Sequence, residues 1–309
     1  MQKKFRIGTR ASKLALWQAN WVQSQLNKFF PDAETEIIKI TTKGDQILDR
    51  PLALVGGKGL FVKEIEKALI DREIDIAVHS MKDMPGTLPK GLTIGAIPER
   101  ENPYDVLVSR NNIKLADLPL RAKIGTSSLR RASQLKNFRN DLEIASIRGN
   151  LETRIKKLNS GEFDAIILAA AGIKRLGMEN LICEYLDETT MIPAVGQGAL
   201  CIETRENDPD IKPLIAKLNH EATAVCVSGE RAFLNKLEGS CHIPVGCFAK
   251  FVDKTIVLTG IVASIDGTEI IKHSLNAEPG NILEKGIELA DILLKKGAKE
   301  ILETLKIND

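Results

Sequence analysis

Ile74-Asp75-Ile76-Ala77-Val78-His79-Ser80-Met81-Lys82-Asp83, residues 74–83, is an apolar run that ends in small and charged residues. Residues 74–78 read as a short buried strand, and the polar remainder as the loop leaving its carboxyl end. Upstream, Leu60, Glu64, Ile65, Ala68 and Leu69 stand at helical offsets and predict a helix over 60–70. Further back, 5–9 and 35–40 read as strands around an amphipathic helix carrying Leu14, Trp17, Trp21 and Val22. The chain therefore opens β-α-β and continues as a parallel α/β pattern.

The alternation restarts after Pro103, with 123–125 ending a strand, 129–138 helical, and 142–147 and 163–169 as further strands. In TTMIPAVGQGAL, residues 189–200, Pro193, Gly196 and Gly198 break regular structure and suit a hinge that returns the chain to the first domain. Beyond about Glu221 the pattern changes. Residues 245–251, 255–264 and 269–275 read as antiparallel strands closed by a helix over 282–294, a small α+β unit. The expected domains are 1–99 with 200–219, 100–199 ending in the hinge, and 220–309. Internal repeats and low-complexity segments do not stand out.

A chain of 309 residues with 43% hydrophobic content can bury two or three cores. The opening MQKKFRIGTR lacks an apolar leader segment, and the longest apolar run, 165–171, is too short to cross a bilayer, so a cytoplasmic protein is expected. Five scattered cysteines without CxxC spacing suit reduced thiols. A net charge of +2 provides no overall field for nucleic acid or membrane, so an anion site must come from local clustering.

That clustering lies at the strand ends, where open α/β sheets bind their ligands. The junctions read Thr9-Arg10-Ala11-Ser12, His79-Ser80-Met81-Lys82-Asp83, Gly125-Thr126-Ser127-Ser128-Leu129-Arg130-Arg131 and Ser146-Ile147-Arg148-Gly149-Asn150. One strand-end arginine usually caps a surface loop. Four such loops together, with hydroxyls and helix N-termini, imply a cleft for a polyanion. Val55-Gly56-Gly57-Lys58-Gly59 lacks the spacing of a phosphate loop. With Lys43-Gly44-Asp45 it reads either as a flexible lid or as an ordinary surface loop. Asp83, among cations, is placed to stabilise a developing positive charge; a turn or capping role is the plainer alternative. Cys241, in Leu237-Glu238-Gly239-Ser240-Cys241-His242-Ile243-Pro244, has the neighbours of an exposed thiol. Cys241, His242 and Cys247 match no zinc spacing, so no metal is expected. Adjacent Cys and His also make a poor nucleophile–base pair.

VGGKGLFVKEIE, DIAVHSMKDMP, IGTSSLRR, IRGN, AGIKRLG, PAVGQGAL and LEGSCHIPVG occur in one order along essentially the whole chain. This set resembles the hydroxymethylbilane synthase (porphobilinogen deaminase) family. The resemblance implies an α/β fold of two periplasmic-binding-protein-like lobes with a hinge, plus a small α+β C-terminal domain. It implies a transferase that joins four porphobilinogen molecules head to tail on a dipyrromethane cofactor, linked to Cys241 through a thioether, and releases hydroxymethylbilane for haem-type tetrapyrrole synthesis. Each porphobilinogen loses ammonia to give an electrophilic azafulvene, and Asp83 is the catalytic residue that stabilises cations and assists proton transfer.

Two carboxylates per pyrrole explain the need for cations. By motif, Lys82, Ser80, Thr126, Ser128, Arg130, Arg131 and Arg148 correspond to cofactor-binding positions. Arg10, Ser12, Lys58, Arg154, Arg175 and Gln197 correspond to substrate-binding ones. The resemblance also implies a monomer without metal, nucleic acid or membrane. Ser240 departs from the family, where a second glycine commonly precedes the cysteine. Two rival readings are a solute-binding or effector-sensing protein and a phosphate-handling transferase. The absence of an export signal argues against an extracellular form of the first, and the second would need a Mg²⁺-binding carboxylate set that the sequence does not offer.

Overall fold

The computed structural model describes residues 4–46, 59–237 and 243–307. The chain begins with β1 (Lys4–Arg10), the helix Lys13–Phe29 and β2 (Glu34–Ile40). The short helix Lys43–Gln46 follows, then the helix Lys63–Ile70, β3 (Ile76–Ser80) and β4 (Leu92–Ala96). Ser12 starts the first long helix by accepting a hydrogen bond from the Ala15 amide, satisfying one of the donors a helix N-terminus leaves open.

The second group contains β5 (Asp105–Ser109), β6 (Lys123–Gly125), β7 (Glu143–Ala145), β8 (Ala165–Ala169) and β9 (Glu184–Leu186). Its helices are Leu129–Phe138, Leu151–Asn159 and Ala170–Arg175. The chain then returns as β10 (Leu200–Arg205).

The two resulting sheets share one plan. The first runs β2-β1-β3-β10-β4 and the second β7-β6-β8-β5-β9. In each, four strands run the same way and one runs against them: β10 is antiparallel to β3 and β4, and β5 to β8 and β9. The parallel pattern expected from the sequence is therefore corrected to two mixed sheets. Leu200–Ile202 and Val106–Val108 are buried runs, and a run buried on both faces carries no signal of strand direction.

The third unit begins with the helix Glu221–Lys236, which the hydrophobic pattern did not announce. The antiparallel sheet β11 (Val245–Val252), β12 (Thr255–Ala263) and β13 (Ile270–Ala277) follows, with the helices Ile282–Leu293 and Lys299–Ile307. Phe233, Leu258, Leu289 and Leu293 form its buried centre. The two-lobed α/β architecture with a small α+β C-terminal domain is thus present.

The lobes meet at the hinge. Gly196 and Gly198 both have positive φ, +68° and +89°, which side chains other than glycine rarely adopt. A Cβ on Gly196 would collide with Met81, and one on Gly198 with the Glu101 carbonyl. Gly196 thus lets the hinge press directly against the turn that follows β3, and Gly198 lets it close on the Glu101 carbonyl.

Candidate active site

At Ser80 the β3 strand gives way to a tight 3-10 turn, Met81–Asp83. Buried Met81 anchors it, its amide donating to the Ala199 carbonyl at 3.0 Å. Beyond the turn, Arg231 donates to the Pro85 and Gly86 carbonyls at 2.9 and 3.0 Å. Pinned at both ends, the turn presents Lys82 and Asp83 as half-buried side chains.

Lys82 reaches the charges of the opposite lobe. Burial, then Arg131 and Arg130, lowers its ammonium to about 8, against the pull of Asp83 and Asp105. In the second lobe Asp105 is fully buried at the start of β5. It accepts from Arg130 Nη1 at 2.7 Å, Arg131 Nε at 2.9 Å and Gln197 Nε2 at 3.1 Å. Burial alone would raise this carboxyl, but Arg130 and Arg131 outweigh it and hold it well below the usual carboxylate range.

The arginines are further fixed by carbonyls, Arg130 on Ile192 at 2.8 Å and Arg131 on Ile167 at 2.9 Å. The Arg154 guanidinium is pushed down to about 10 by burial, then by Arg131 and Arg148, so these three converge as well. Arg154 leans on the Gly149 carbonyl at 2.9 Å. The helix behind it is capped by Asn150, which accepts from the Thr153 amide at 2.9 Å. Lys82, Arg130, Arg131, Arg148 and Arg154 thus form one cationic group with Asp83 at its edge.

The other candidates divide. Arg175 donates to the Gly198 carbonyl at 2.7 Å and lies over Trp17. Burial pushes its guanidinium down to about 10 against Glu101, and it joins lobe to hinge. Gln197 also donates to the Pro103 carbonyl at 2.7 Å, while its buried Oε1 has no partner among the described residues. Arg10 is paired with Asp45 and stacked on Phe61 at 4.2 Å. Hydroxyls serve the backbone and neighbours: Ser12 caps its helix, Ser80 accepts from Gln18 at 2.9 Å, and Thr126 accepts from the Ser128 amide at 3.2 Å.

Cys241, Lys58, Gly56 and Gly57 lie outside the described residues. Elsewhere, burial pushes the thiols of Cys201 and Cys247 far up and that of Cys226 to about 11, which suits packing rather than bond formation. Among the described residues no group of His, Cys, Asp and Glu could hold a metal.

Sequence reasoning missed Asp105 and Asp45, the two acids that hold the strand-end arginines. An aspartate opening a strand after proline, as in Pro103-Tyr104-Asp105, was the only hint.

Two α/β lobes joined at a hinge, with strand-end cations gathered beside the Met81–Asp83 turn, have the architecture of a ligand-binding clamp. Residues 5–213 match the family model described as porphobilinogen deaminase, dipyromethane cofactor binding domain, and 224–295 match porphobilinogen deaminase, C-terminal domain. The chain is 54% identical to the porphobilinogen deaminase of Geotalea uraniireducens over 97% of this chain and 94% of that one. It is 53% identical to that of Oceanobacillus iheyensis over 98% of both. The chain belongs to the porphobilinogen deaminase family and is a transferase of tetrapyrrole biosynthesis. Structural similarity to a TRAP periplasmic solute binding protein from Desulfovibrio salexigens has a TM-score of 0.43 at 12% identity, covering 71% of this chain and 73% of that one.

Proposed function

We propose that Cys241 holds the dipyrromethane cofactor through a thioether, that Asp83 acts where each porphobilinogen is joined, and that the cationic group binds the carboxylates between them. The observation that carries this reading is the meeting of the Lys82–Asp83 turn with Arg130 and Arg131 across the cleft. When bound, dipyrromethane supplies a nucleophilic terminal pyrrole carbon as the acceptor for new units. The buried, prearranged guanidiniums receive acetate and propionate groups without reorganising. Gln197, with its buried Oε1 open, can accept from a ligand N–H. Asp83 stabilises the cation formed when porphobilinogen loses ammonia and can take up the proton lost on joining.

We further read the protein as a cytoplasmic monomer with domains 1–99 with 200–219, 100–199 and 220–309. Among the described residues no helix is long and apolar enough to cross a membrane.

The test combines mass and turnover. Intact protein is expected to exceed its sequence mass by a dipyrromethane adduct that Cys241→Ser abolishes. Asp83→Asn is expected to keep the adduct and lose roughly 100-fold or more in porphobilinogen consumption. An unmodified but fully active protein, or near-normal Asp83→Asn turnover, would overturn the respective assignment.

A further inference from the structure

Beneath the Met81–Asp83 turn the first lobe buries His79, Glu203 and Glu66 among largely apolar neighbours, with the Arg231 guanidinium close enough to act on Glu203. In the β3–β10 pairing His79 stands opposite Cys201 and Ala77 opposite Glu203, so His79 and Glu203 share one face of the sheet. His79 Nε2 and Glu203 Oε2 are 3.0 Å apart, with side chains 3% and 0% exposed. The helix Lys63–Ile70 covers this face and contributes Glu66, 5% exposed. Burial first, then Glu203, raises the Glu66 carboxyl to about 7, while His79 and Lys63 oppose this. Around them lie Val62, Met81, Ala199 and Cys201.

Burying such a pair is costly, and apolar residues of similar volume would hold the two strands together at least as well. A polar cluster kept in a core invites a functional explanation. The placement offers one. Ser80, on the opposite face, is gripped by Gln18 at 2.9 Å, so the last two residues of β3 are each held by a polar side chain, one per face. Asp83 follows within four residues.

We propose that His79 and Glu203 are positioning residues: their buried strand-to-strand contact fixes how β3 exits into the turn and hence where Asp83 stands in the cleft. This rests on the reading of Asp83 above. A displacement of about 1 Å at a reacting group can cost on the order of 100-fold in rate.

The test separates positioning from packing. In His79→Leu, Glu203 is left buried without its partner, and both melting temperature and turnover should fall. In His79→Leu/Glu203→Leu the pair is replaced by apolar side chains, with Glu66 left beside them, and the melting temperature should return to within a few degrees of wild type. On protein shown by intact mass to carry dipyrromethane, kcat of the double variant should nonetheless stay down by about ten-fold or more, with KM for porphobilinogen within about two-fold. His79→Gln, which retains an N–H donor toward Glu203, should keep kcat within about three-fold of wild type.

Wild-type kcat in the double variant, or His79→Gln no better than His79→Leu, overturns the proposal. If the double variant fails to fold, His79→Gln decides: a ten-fold loss of kcat at unchanged melting temperature also overturns it. Asp83→Asn run alongside keeps the two readings apart. Inactive Asp83→Asn beside a fully active double variant sinks only the His79–Glu203 role, whereas active Asp83→Asn sinks the reading of Asp83.

Discussion

The two lobes are built on the same five-stranded plan, yet they hold their strand-end charges differently. In the second lobe Arg130 and Arg131 share Asp105 in the interior, and backbone carbonyls take up further N–H groups. In the first lobe Arg10 is paired with Asp45 near the surface, the two side chains 24% and 25% exposed. Asp45 comes from the short helix Lys43–Gln46 rather than from a strand of the sheet. The second lobe therefore presents a rigid wall of charge, prearranged because its counter-ion is part of the core. The first lobe presents a cation whose partner is peripheral and exchangeable, beside a turn whose support is buried.

The most severe way to break this contrast is Asp105→Asn. Two buried guanidiniums would lose the carboxylate they share, and leaving buried charge uncompensated costs about 3–5 kcal/mol. Because the Asp105 carboxyl is depressed in the fold, its contribution is present above the unfolded value near 4 and is lost as pH falls through the folded value. Urea denaturation of Asp105→Asn should show a large loss at pH 7 that narrows toward acid. A loss below about 1 kcal/mol at pH 7 would mean that the wall is held by the carbonyls alone.

The buried cluster of the first lobe should behave with the opposite sign. Glu66, facing Glu203 and His79 and with Lys63 on its own helix, titrates at about 7 in the fold against about 4.3 unfolded. Between those values the folded protein holds a proton that the unfolded chain has released. Stability therefore falls as pH rises through that window, by about 3.5 kcal/mol in total, and levels off above it. Glu66→Gln, which mimics the neutral acid, should be about 3.5 kcal/mol more stable than wild type at pH 8 and only about 1 kcal/mol more stable at pH 5. Parallel denaturation curves at the two pH values check this, and equal differences at both would remove the proton linkage.

This asymmetry also shows why the sequence was only partly readable. The β-α-β openings, the short buried strands and the cationic junctions are local patterns, so 5–9, 35–40, 123–125 and 129–138 could be placed from periodicity and composition. The direction of β5 and β10 is a tertiary property that Val106–Val108 and Leu200–Ile202 do not encode locally. The motifs pointed to Arg10, Arg130 and Arg131 as ligand contacts. What they could not reveal is that Asp45 and Asp105, 35 and 25 or 26 positions away, already hold them. Glu203 was hidden for the same reason: its role depends on a strand 124 positions distant.

The smallest expected effect gives the sharpest control on the contrast between lobes. Asp45 is held twice, since Thr42 donates to it through Oγ1 at 2.8 Å and through its amide at 3.2 Å, while Phe61 keeps Arg10 stacked independently. Asp45→Asn removes the charge but leaves those supports, and a quarter-exposed pair is screened by water. The loss at pH 7 should be no more than about 1 kcal/mol, several times less than for Asp105→Asn. The Asp45 carboxyl is lowered in the fold, Arg10 and Thr42 outweighing burial, so even this contribution should vanish as pH falls through the carboxylate range. A loss as large as that of Asp105→Asn would show that peripheral position does not weaken the Arg10 pair. The two lobes would then hold their cations equally firmly, despite the difference in burial.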